Sequence, residues 1–199
     1  MCIRDSRRPG PAEYVQIGYL VPDCRSADFA PLVVLDAVLS GAKSLTFFGG
    51  GAQTNRSARI YKALVETELA SGANSSFSPT RDPFLFSFDA TVQKDHSATE
   101  VEEALTAVIA DIQNDGISAA ELAKVSKQVR AQVAYSSESV TNQALQLGMW
   151  EVLDCYRRGE TLLDEFQAVT ADDVQRVARQ YLTENRRTVG HFIPTENET

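Results

Sequence analysis

Two histidines are the first residues to test for chemistry, because histidine is the commonest metal ligand and titrates near neutral pH. His96 lies in a polar turn ahead of a helical segment, and His191 lies in an alternating segment near the end of the chain. The sequence contains neither HExxH nor HxxEH, the zinc-binding motifs of metallopeptidase helices. We therefore predict a solvated His96, a hydrogen-bonded His191 within a sheet, and no metal site in this chain.

Other residue types that support catalysis are equally scattered. Cys2, Cys24 and Cys155 are an odd number of cysteines without CxxC spacing, which predicts isolated free thiols rather than a disulfide framework. No GxSxG motif marks a nucleophilic serine. The carboxylates cluster on helix faces and at helix N-termini, where solvation and capping explain them. The residues alone predict no self-sufficient active site.

A glycine-rich stretch is the most unusual part of the sequence. Leu45–Gly72 opens with two phenylalanines and three successive glycines, passes through a polar turn and runs into an amphipathic helix. Three glycines in a row are not suited to the interior of a helix or strand. No Gly-Lys-Ser/Thr follows them and no clear strand precedes them, so the pattern is not that of a phosphate-binding P-loop.

Composition excludes several functional classes. The chain has 199 residues, of which 43% are hydrophobic, and this suits one domain with a sizeable core. Its net charge of −8 comes from acids and bases that are interspersed, unlike the basic surface of a nucleic-acid-binding protein. No apolar run approaches the roughly 18 residues of a membrane-spanning helix. We expect no nucleic-acid partner and no membrane span.

Hydrophobic periodicity predicts alternating strands and helices in the first half of the chain. The predicted elements are a strand at Glu13–Val21, a helix from Ser26 or Asp28 to Leu39, a helix capped by Asn55 or Ser57, a weaker strand at Ala73–Ser78 and a strand at Phe84–Val92. The helix that ends at Leu39 is apolar around much of its circumference and is stopped by Gly41. We expect this helix to be deeply buried.

The second half is predicted to be helical up to a closing strand. Three helices begin with a hydroxyl residue followed three positions later by a carboxylate, which is the capping-box pattern. These pairs are Ser97 with Glu100, Ser118 with Glu121, and Thr170 with Asp173. Further elements are a helix at about Ser139–Cys155, a short helix from near Thr161 and a strand at Thr188–Ile193. The order β-αα-ββ-ααα(α)-β predicts an α+β fold, with an antiparallel or mixed sheet and helices on one face.

The two ends of the sequence are predicted to lie outside this fold. Met1–Ser6 matches neither a signal peptide nor the pattern that follows it, so we interpret it as a sequencing or cloning artefact ahead of a chain that starts within a longer protein. We expect residues 1–11 to be an artefactual or disordered lead, residues 12–196 to form one domain, and residues 197–199 to be a tail.

Several blocks stand in an order that one enzyme family shares. They are Tyr14–Pro22, Asp28–Phe29, Val34–Gly41, Gly49–Gly51 with Arg56–Glu66, Ser139–Ala144, Val169–Val174 and Tyr181–Thr183. Together they resemble the C-terminal, metal-free half-domain of pitrilysin/insulinase-type zinc metallopeptidases, the inverzincins to which the mitochondrial processing peptidases are similar. The resemblance covers Ala12 to Pro194, so residues 12–196 are identified as such a half-domain.

This resemblance implies where the missing chemistry lies. Family members close two similar α+β half-domains like a clamshell; the first carries zinc on an HxxEH helix, and the second encloses an extended peptide. In several members the second half supplies an arginine and, seven positions later, a tyrosine that reach the site. The arginine position falls on Val65 and the tyrosine position on Ser71 or Gly72, so the pair is absent. Arg59 and Tyr61 belong to the preceding helical block and do not replace it.

The glycine-rich segment is predicted to handle the peptide. The connection from Gly41 to Arg56 is about twice as long as the usual link between two helices. Its bare backbone groups can pair with an extended peptide, and its rings offer apolar contact. The processing-peptidase relatives also carry a mobile glycine-rich loop in their metal-free subunit. The predicted substrate-binding residues are Phe47, Phe48, Gly49, Gly50 and Gly51; the alternative is a plain connection.

Two functional hypotheses follow. In the first, the chain is the non-metal-binding C-terminal half of a zinc-dependent metalloendopeptidase and is inactive alone. It grips a peptide substrate opposite an HxxEH-bearing half, either fused upstream or separate, and zinc is expected only in that half. In the second, it is a non-catalytic partner or assembly subunit, related to processing-peptidase or respiratory-complex core proteins. An upstream reading frame that encodes HxxEH on the same polypeptide would favour the first hypothesis.

Overall fold

A four-stranded antiparallel sheet forms the centre of the computed structural model, which describes residues 8–43, 55–136 and 139–195 except for the side chain of Ser136. The strands are β1 (Tyr14–Val21), β2 (Ala70–Ser76), β3 (Phe84–Val92) and β4 (Arg187–Phe192). Their order across the sheet is β2-β3-β1-β4, and every neighbouring pair is antiparallel. The predicted α+β class is confirmed, and its sheet is antiparallel rather than mixed.

One face of this sheet is buried and the other is exposed. Successive side chains of a strand point to opposite faces, and the register places Ile17 of β1 beside Phe88 of β3. The buried residues of the two central strands are Val15, Ile17, Tyr19, Val21, Phe86, Phe88, Ala90 and Val92. On the opposite face, Leu20 and Leu85 are 49% and 41% exposed. The helices therefore pack on one face, as the sequence predicts.

Six α-helices are described alongside the sheet. They are α1 (Phe29–Ser40), α2 (Ala98–Asp115), α3 (Ala119–Ser136), α4 (Val140–Leu153), α5 (Arg158–Ala168) and α6 (Ala171–Tyr181). A short π-helix at Tyr61–Val65 and a 3-10 turn at Glu184–Arg186 accompany them. Among the described helices, none is both long enough and apolar enough to cross a membrane.

Helix α1 is the central helix of the core, as its all-round apolar sequence predicts. All of its residues are buried, and it contacts β2, α3, α5 and α6. It ends at Gly41, which has a φ of 97° and donates its backbone N–H to Ala37. This positive φ is accessible to glycine at little steric cost. At the other end, Asp28 occupies the N-cap position but accepts a hydrogen bond from the Tyr181 hydroxyl instead of capping the helix.

Two of the three predicted capping boxes are confirmed, at Ser97 with Glu100 and at Thr170 with Asp173. The third was predicted incorrectly. Ser118 Oγ accepts from the backbone N–H of Glu121 at 3.2 Å, but the Glu121 carboxylate is bound by Arg59. A guanidinium offers two parallel charge-assisted hydrogen bonds, which outweigh one bond to a backbone N–H.

The strand boundary that the structure changes most is that of β2, whereas β1 starts only one residue later than predicted, at Tyr14. Strand β2 spans Ala70–Ser76 rather than the predicted Ala73–Ser78. Its residues have weak intrinsic preference for strands, so the sequence pattern could not locate its start. Pairing with β3 determines it, through a register that runs from Ala70 opposite Val92 to Ser76 opposite Ser87, with an irregularity between Ala70 and Gly72.

The helix predicted after Asn55 or Ser57 is shorter than expected. Asn55 Oδ1 accepts from the backbone N–H of Ser57 at 3.1 Å, and the regular turns end with the π-helix at Val65. Ile60 and Leu64 are fully buried, whereas Val65 is only half-buried. Smaller differences are the starts of α5 and β4, at Arg158 and Arg187.

Candidate functional site

A depression at the edge of the sheet is the best candidate for a functional site. It has a volume of about 270 Å³ and lies between the π-helix and the strands β2 and β3. Its walls are formed by Ser40, Asn55, Ala58, Tyr61, Val65, Ser71, Gly72, Ala73, Asn74, Asp89 and Thr91. The small residues of β2 leave this space open, since a Cβ atom added at Gly72 would meet no other atom within 4 Å.

The depression brings together the two positions where the family resemblance places an arginine and a tyrosine. Val65 at the end of the π-helix and both Ser71 and Gly72 in β2 line it. In this chain those positions carry an isopropyl group, a hydroxymethyl group and a hydrogen atom. The space that larger side chains would fill is therefore open.

Tyr61 and Arg59 turn out to have different roles. Tyr61 lines the depression, so one phenol does reach this site from the preceding helical block. Arg59 instead donates to both carboxylate oxygens of Glu121 at 2.8 Å and to the carbonyl of Gly116 at 3.1 Å. Arg59 thus fastens the π-helix region to the start of α3. The interpretation that it does not replace the missing arginine agrees with these contacts.

Asp89 supplies the carboxylate of the depression. Its side chain points to the exposed face of the sheet, yet the surrounding walls partly desolvate it, and this desolvation raises the pKa of Asp89. The positive charge of Lys43 opposes that rise. Among the described residues, Asp89 has no ion pair and no side-chain hydrogen bond. A partly desolvated carboxylate without a bonded cation favours a cationic ligand.

A buried polar cluster lies behind this depression. Lys43 Nζ donates to the two carboxylate oxygens of Asp36 at 3.1 and 3.0 Å, to Ser40 Oγ at 2.6 Å and to the carbonyl of Ser75. The hydroxyls of Ser40 and Ser75 lie 2.8 Å apart, and Ser75 Oγ donates to Asp36 at 2.5 Å. An ammonium held this way compensates the buried Asp36 charge and satisfies the hydroxyl of Ser40 and the carbonyl of Ser75.

This cluster was not predicted from the sequence. Its first three members recur along the chain as Asp36, Ser40 and Lys43, which places the first two on one face of α1. That spacing was the available signal, but Ser75 comes from β2 and could not be inferred from it.

The predicted peptide-binding residues Phe47, Phe48, Gly49, Gly50 and Gly51 lie outside the described residues. The residues on either side of that segment are described, and both lie near the depression. Lys43 is bonded to the carbonyl of Ser75 in β2, and Asn55 lines the depression. Asn55 also packs against Gly41 so closely that a Cβ atom added there would lie 2.7 Å from Asn55 Cβ.

The histidines do not fit a zinc site. His191 Nε2 lies 2.8 Å from Glu102 Oε2 on α2, which agrees with the predicted hydrogen-bonded sheet histidine. His96 Nδ1 lies 3.7 Å from Glu100, in a different part of the fold. A protein zinc site needs at least three side-chain ligands. In residues 8–43, 55–136 and 139–195, no three histidine, cysteine or acidic side chains are grouped to hold a metal ion.

The described cysteines are isolated, as the sequence predicts. Cys24 and Cys155 are both free thiols, the first buried and the second exposed. Burial raises the pKa of the Cys24 thiol, with smaller contributions in the same direction from Asp23 and Asp154. A buried thiol with a raised pKa is a poor nucleophile. Cys24 therefore belongs to the core rather than to a reactive site.

The Arg59–Glu121 pair predicts a pH-dependent part of the stability. Hydrogen bonds from Arg59 lower the pKa of Glu121 below its ordinary value of 4.5. Because the folded pKa is lower than the unfolded one, this pair stabilises the fold above about pH 4.5 and loses its effect as the pH falls through the folded pKa. We expect Glu121→Gln to lower the free energy of unfolding at pH 7 by about 1 kcal/mol.

Urea unfolding at pH 7 and at pH 3 checks this expectation. The difference between wild type and Glu121→Gln is expected to shrink at the lower pH. The matched control is Glu103→Gln, since Glu103 is exposed and has no ion pair among the described residues. Equal losses for Glu121→Gln at both pH values would show that Arg59 does not depend on the ionised carboxylate.

The sequence matches one family model, described as the peptidase M16 inactive domain, over residues 3–129, which is more than half of the chain. No curated protein matches it. Among solved structures, the chain is similar to the inactive peptidase domain of a candidate zinc protease from Bordetella parapertussis. The identity is 26% and the TM-score 0.79, and the match covers 98% of this chain and 99% of that one.

Two longer proteins contain the same fold. A protease from Helicobacter pylori is 23% identical with a TM-score of 0.82, and the match covers 92% of this chain and 41% of that one. A chain of complex III2 from Candida albicans is 12% identical with a TM-score of 0.67, and the match covers 94% of this chain and 44% of that one. This chain spans less than half of either protein.

Proposed function

The chain belongs to the peptidase M16 inactive-domain family, and from that premise we propose that it is the metal-free half of a zinc metalloendopeptidase. In this role it encloses and grips an extended peptide opposite a half-domain that carries zinc on an HxxEH helix. The zinc would polarise the scissile carbonyl and activate water on that other half. The residues described here bind and orient the peptide.

The observation that carries this proposal is the position of the depression. It lies where the family resemblance places substrate-contacting side chains, at Val65 and at Ser71 or Gly72. Asn55, which follows the predicted peptide-binding segment in the sequence, lines the depression, and Lys43, which precedes that segment, donates to Ser40 in its wall. A concave site with a few convergent polar groups, on a chain without a described metal site, suits a binding role rather than a catalytic one.

Pairing with a second half-domain is supported by the surface of α4. Trp150 is the buried residue of this helix, and Met149 and Leu153 pack partly against the core, whereas four other large apolar side chains are exposed. The exposed residues are Val140 at 80%, Leu145 at 42%, Leu147 at 52% and Val152 at 69%. Since the Helicobacter pylori chain extends well beyond this fold, we infer that α4 contacts the zinc-bearing half. Polar residues between the apolar ones would allow the clamshell to open.

Reconstitution tests the proposal. The full chain is mixed with the zinc-bearing half-domain encoded with it, and hydrolysis of quenched fluorescent peptides is followed together with sedimentation of the mixture. We expect a complex whose peptidase activity is absent from this chain alone. The control replaces the glutamate of HxxEH in the other half by glutamine, which must abolish the activity. A mixture that neither sediments as a complex nor hydrolyses peptides would contradict the proposal.

The same experiment distinguishes the second candidate, a non-catalytic partner or assembly subunit. Two observations favour it. The chain lacks the arginine at Val65 and the tyrosine at Ser71 or Gly72 that the family resemblance implies, and its fold also occurs in a chain of complex III2. A stable complex that shows no hydrolysis with any peptide, while the zinc-bearing half binds its metal, would support assembly rather than proteolysis.

We also propose that Phe47, Phe48, Gly49, Gly50 and Gly51 contact the peptide. Replacing the three glycines by alanines restricts the backbone and adds methyl groups beside it. In the reconstituted enzyme we expect the KM for peptides to rise several-fold while the thermal midpoint of unfolding changes little. Gly190→Ala is the matched control, because Gly190 lies in β4 away from the depression, and a Cβ atom there would meet only the backbone oxygen of Gln16 at 3.9 Å. If the triple alanine variant had unchanged kinetics and unchanged stability, the segment would only connect its neighbouring elements and would not contact the peptide.

A further inference from the structure

We propose that the depression beside β2 binds an arginine or lysine side chain of the peptide, with Asp89 as its anionic partner. The inference rests on the proposed function, because it names the class of peptide that this site would take. It goes further by assigning a charge preference to one position of the substrate. Four features of the described residues support it. They are the unpaired charge of Asp89, the neutral residues beside it in the sheet, the volume of the depression and the valine at position 65.

Asp89 carries a charge that no described residue neutralises at close range. It has no ion pair among the described residues. Lys43 is the cation that acts on it through space, but the Lys43 ammonium is bonded to both carboxylate oxygens of Asp36. A carboxylate in a partly desolvated recess gains free energy when a cation approaches it directly. The missing counter-charge is therefore available to a ligand.

The neighbours of Asp89 provide hydrogen-bonding capacity without competing charge. On the exposed face of the sheet, the register places Asn74 of β2 and Gln16 of β1 directly beside it. Both are neutral amides, whose carbonyl oxygens can accept from an ammonium or guanidinium. The next position on the same face pairs Gly72 with Thr91, which leaves an open approach to the carboxylate.

The size and walls of the depression suit one long basic side chain. Its volume of about 270 Å³ lies just below the range of roughly 300–1,000 Å³ for pockets that hold a whole small molecule. Val65 and Ala58 offer apolar surface for the methylene stem. Tyr61 offers a ring on which a guanidinium can stack, so arginine is expected to bind better than lysine.

The residue at position 65, which lines the same depression, explains why the Asp89 carboxylate lacks a bonded cation among the described residues of this chain. The family resemblance places an arginine at the position of Val65, which lines the same depression as Asp89. Such an arginine would bring its own cation to this recess. Because valine occupies this position, a basic side chain of the substrate can supply the positive charge beside Asp89. Asp89 is thus a specificity-determining residue rather than a catalytic one.

The first experiment uses the full chain alone and does not depend on the zinc-bearing half. N-acetyl-arginine methylamide is titrated into the 15N-labelled protein, and the backbone amide shifts of Gly72, Asn74 and Thr91 are followed. The neutral isostere N-acetyl-citrulline methylamide is titrated in parallel. We expect saturable shifts with arginine, binding about tenfold weaker with citrulline, and loss of that difference in Asp89→Asn.

The matched control is Asp82→Asn, since Asp82 is an exposed acid in the turn before β3 and does not line the depression. This variant should bind arginine as the wild type does. Equal affinity for arginine and citrulline, or an undiminished preference in Asp89→Asn, would overturn the inference. A failed reconstitution combined with this arginine preference would count against the proposed peptidase role and still support the site.

The second experiment measures cleavage by the reconstituted enzyme. Peptides that differ only by arginine, lysine or norleucine at one position are compared at each position in turn. At one position we expect kcat/KM to be about tenfold higher for arginine than for norleucine, and Asp89→Asn to remove this difference without slowing cleavage of the norleucine peptide. An active enzyme with no preference for a basic residue at any position would refute the inference and leave the proposed function intact.

Discussion

Replacement of Lys43 by methionine is expected to lower the free energy of unfolding by about 3 kcal/mol, because it leaves the Asp36 carboxylate buried without its cation. The Asp36 side chain is only 7% exposed, and both of its oxygens are bonded to Lys43. Ser40 and the carbonyl of Ser75 would also lose a donor. About a quarter of the Lys43 side chain is exposed, so we expect the low end of the effect of breaking buried ion pairs.

Urea unfolding at neutral pH measures this loss. The double variant Asp36→Asn with Lys43→Met removes both charges and is expected to recover part of the stability, since no unpaired charge is then buried. Lys94→Met is the matched control, because Lys94 lies in an exposed turn before α2 and should change stability by less than about 0.5 kcal/mol. If Lys43→Met were no more harmful than this control, the cluster would not hold α1 to β2.

Installing the missing pair with Val65→Arg and Gly72→Tyr is expected to raise the kcat of the reconstituted enzyme by roughly 10-fold to 100-fold. Preorganised donors aimed at the reacting group commonly contribute factors of this size or larger. The structure can accept the tyrosine, because a Cβ atom at Gly72 meets nothing within 4 Å and Gly72 is not among the glycines with positive φ. Tyrosine also has a higher strand preference than glycine, so stability should not fall.

One further variant and one further measurement sharpen this test. Val65→Arg with Ser71→Tyr tests the other position that the family resemblance allows for the tyrosine, since Ser71 also lines the depression. A rise in kcat with this variant and not with Gly72→Tyr would place the phenol at position 71. In Val65→Arg with Gly72→Tyr, the new arginine should neutralise Asp89 and reduce the preference for basic peptides. An unchanged kcat in a folded, complexed variant would show that this edge of the sheet does not face the reacting group.

Local sequence patterns determined much of the fold. Strand β3 was predicted with its observed bounds, since Phe86, Phe88, Ala90 and Val92 alternate with polar residues. The all-round apolar sequence of α1 predicted its complete burial. The capping boxes at Ser97 and Thr170 were readable because each is closed by residues three positions apart. In each case the interactions that determine the element join residues that are close together in the sequence.

Tertiary structure decided the features that depend on residues far apart in sequence. Pairing with β3, not strand preference, extended β2 to Ala70. The Glu121 carboxylate binds Arg59, which is 62 positions away in the sequence, and therefore does not close the predicted capping box with Ser118. The polar cluster joins Asp36 to Ser75, which are 39 positions apart.

The features of the candidate site also divide into those that the sequence predicts and those that depend on tertiary structure. The sequence by itself established that this chain lacks HxxEH, since that is a statement about residue types at fixed spacing. The family resemblance added that the expected arginine and tyrosine are absent, at Val65 and at Ser71 or Gly72. Only the packing of the π-helix against β2, together with the pairing of β2 and β3, showed that Val65, Gly72 and Asp89 share one depression. Such a recess is created by strand register and by the absence of side chains, and neither leaves a periodic signal in the sequence.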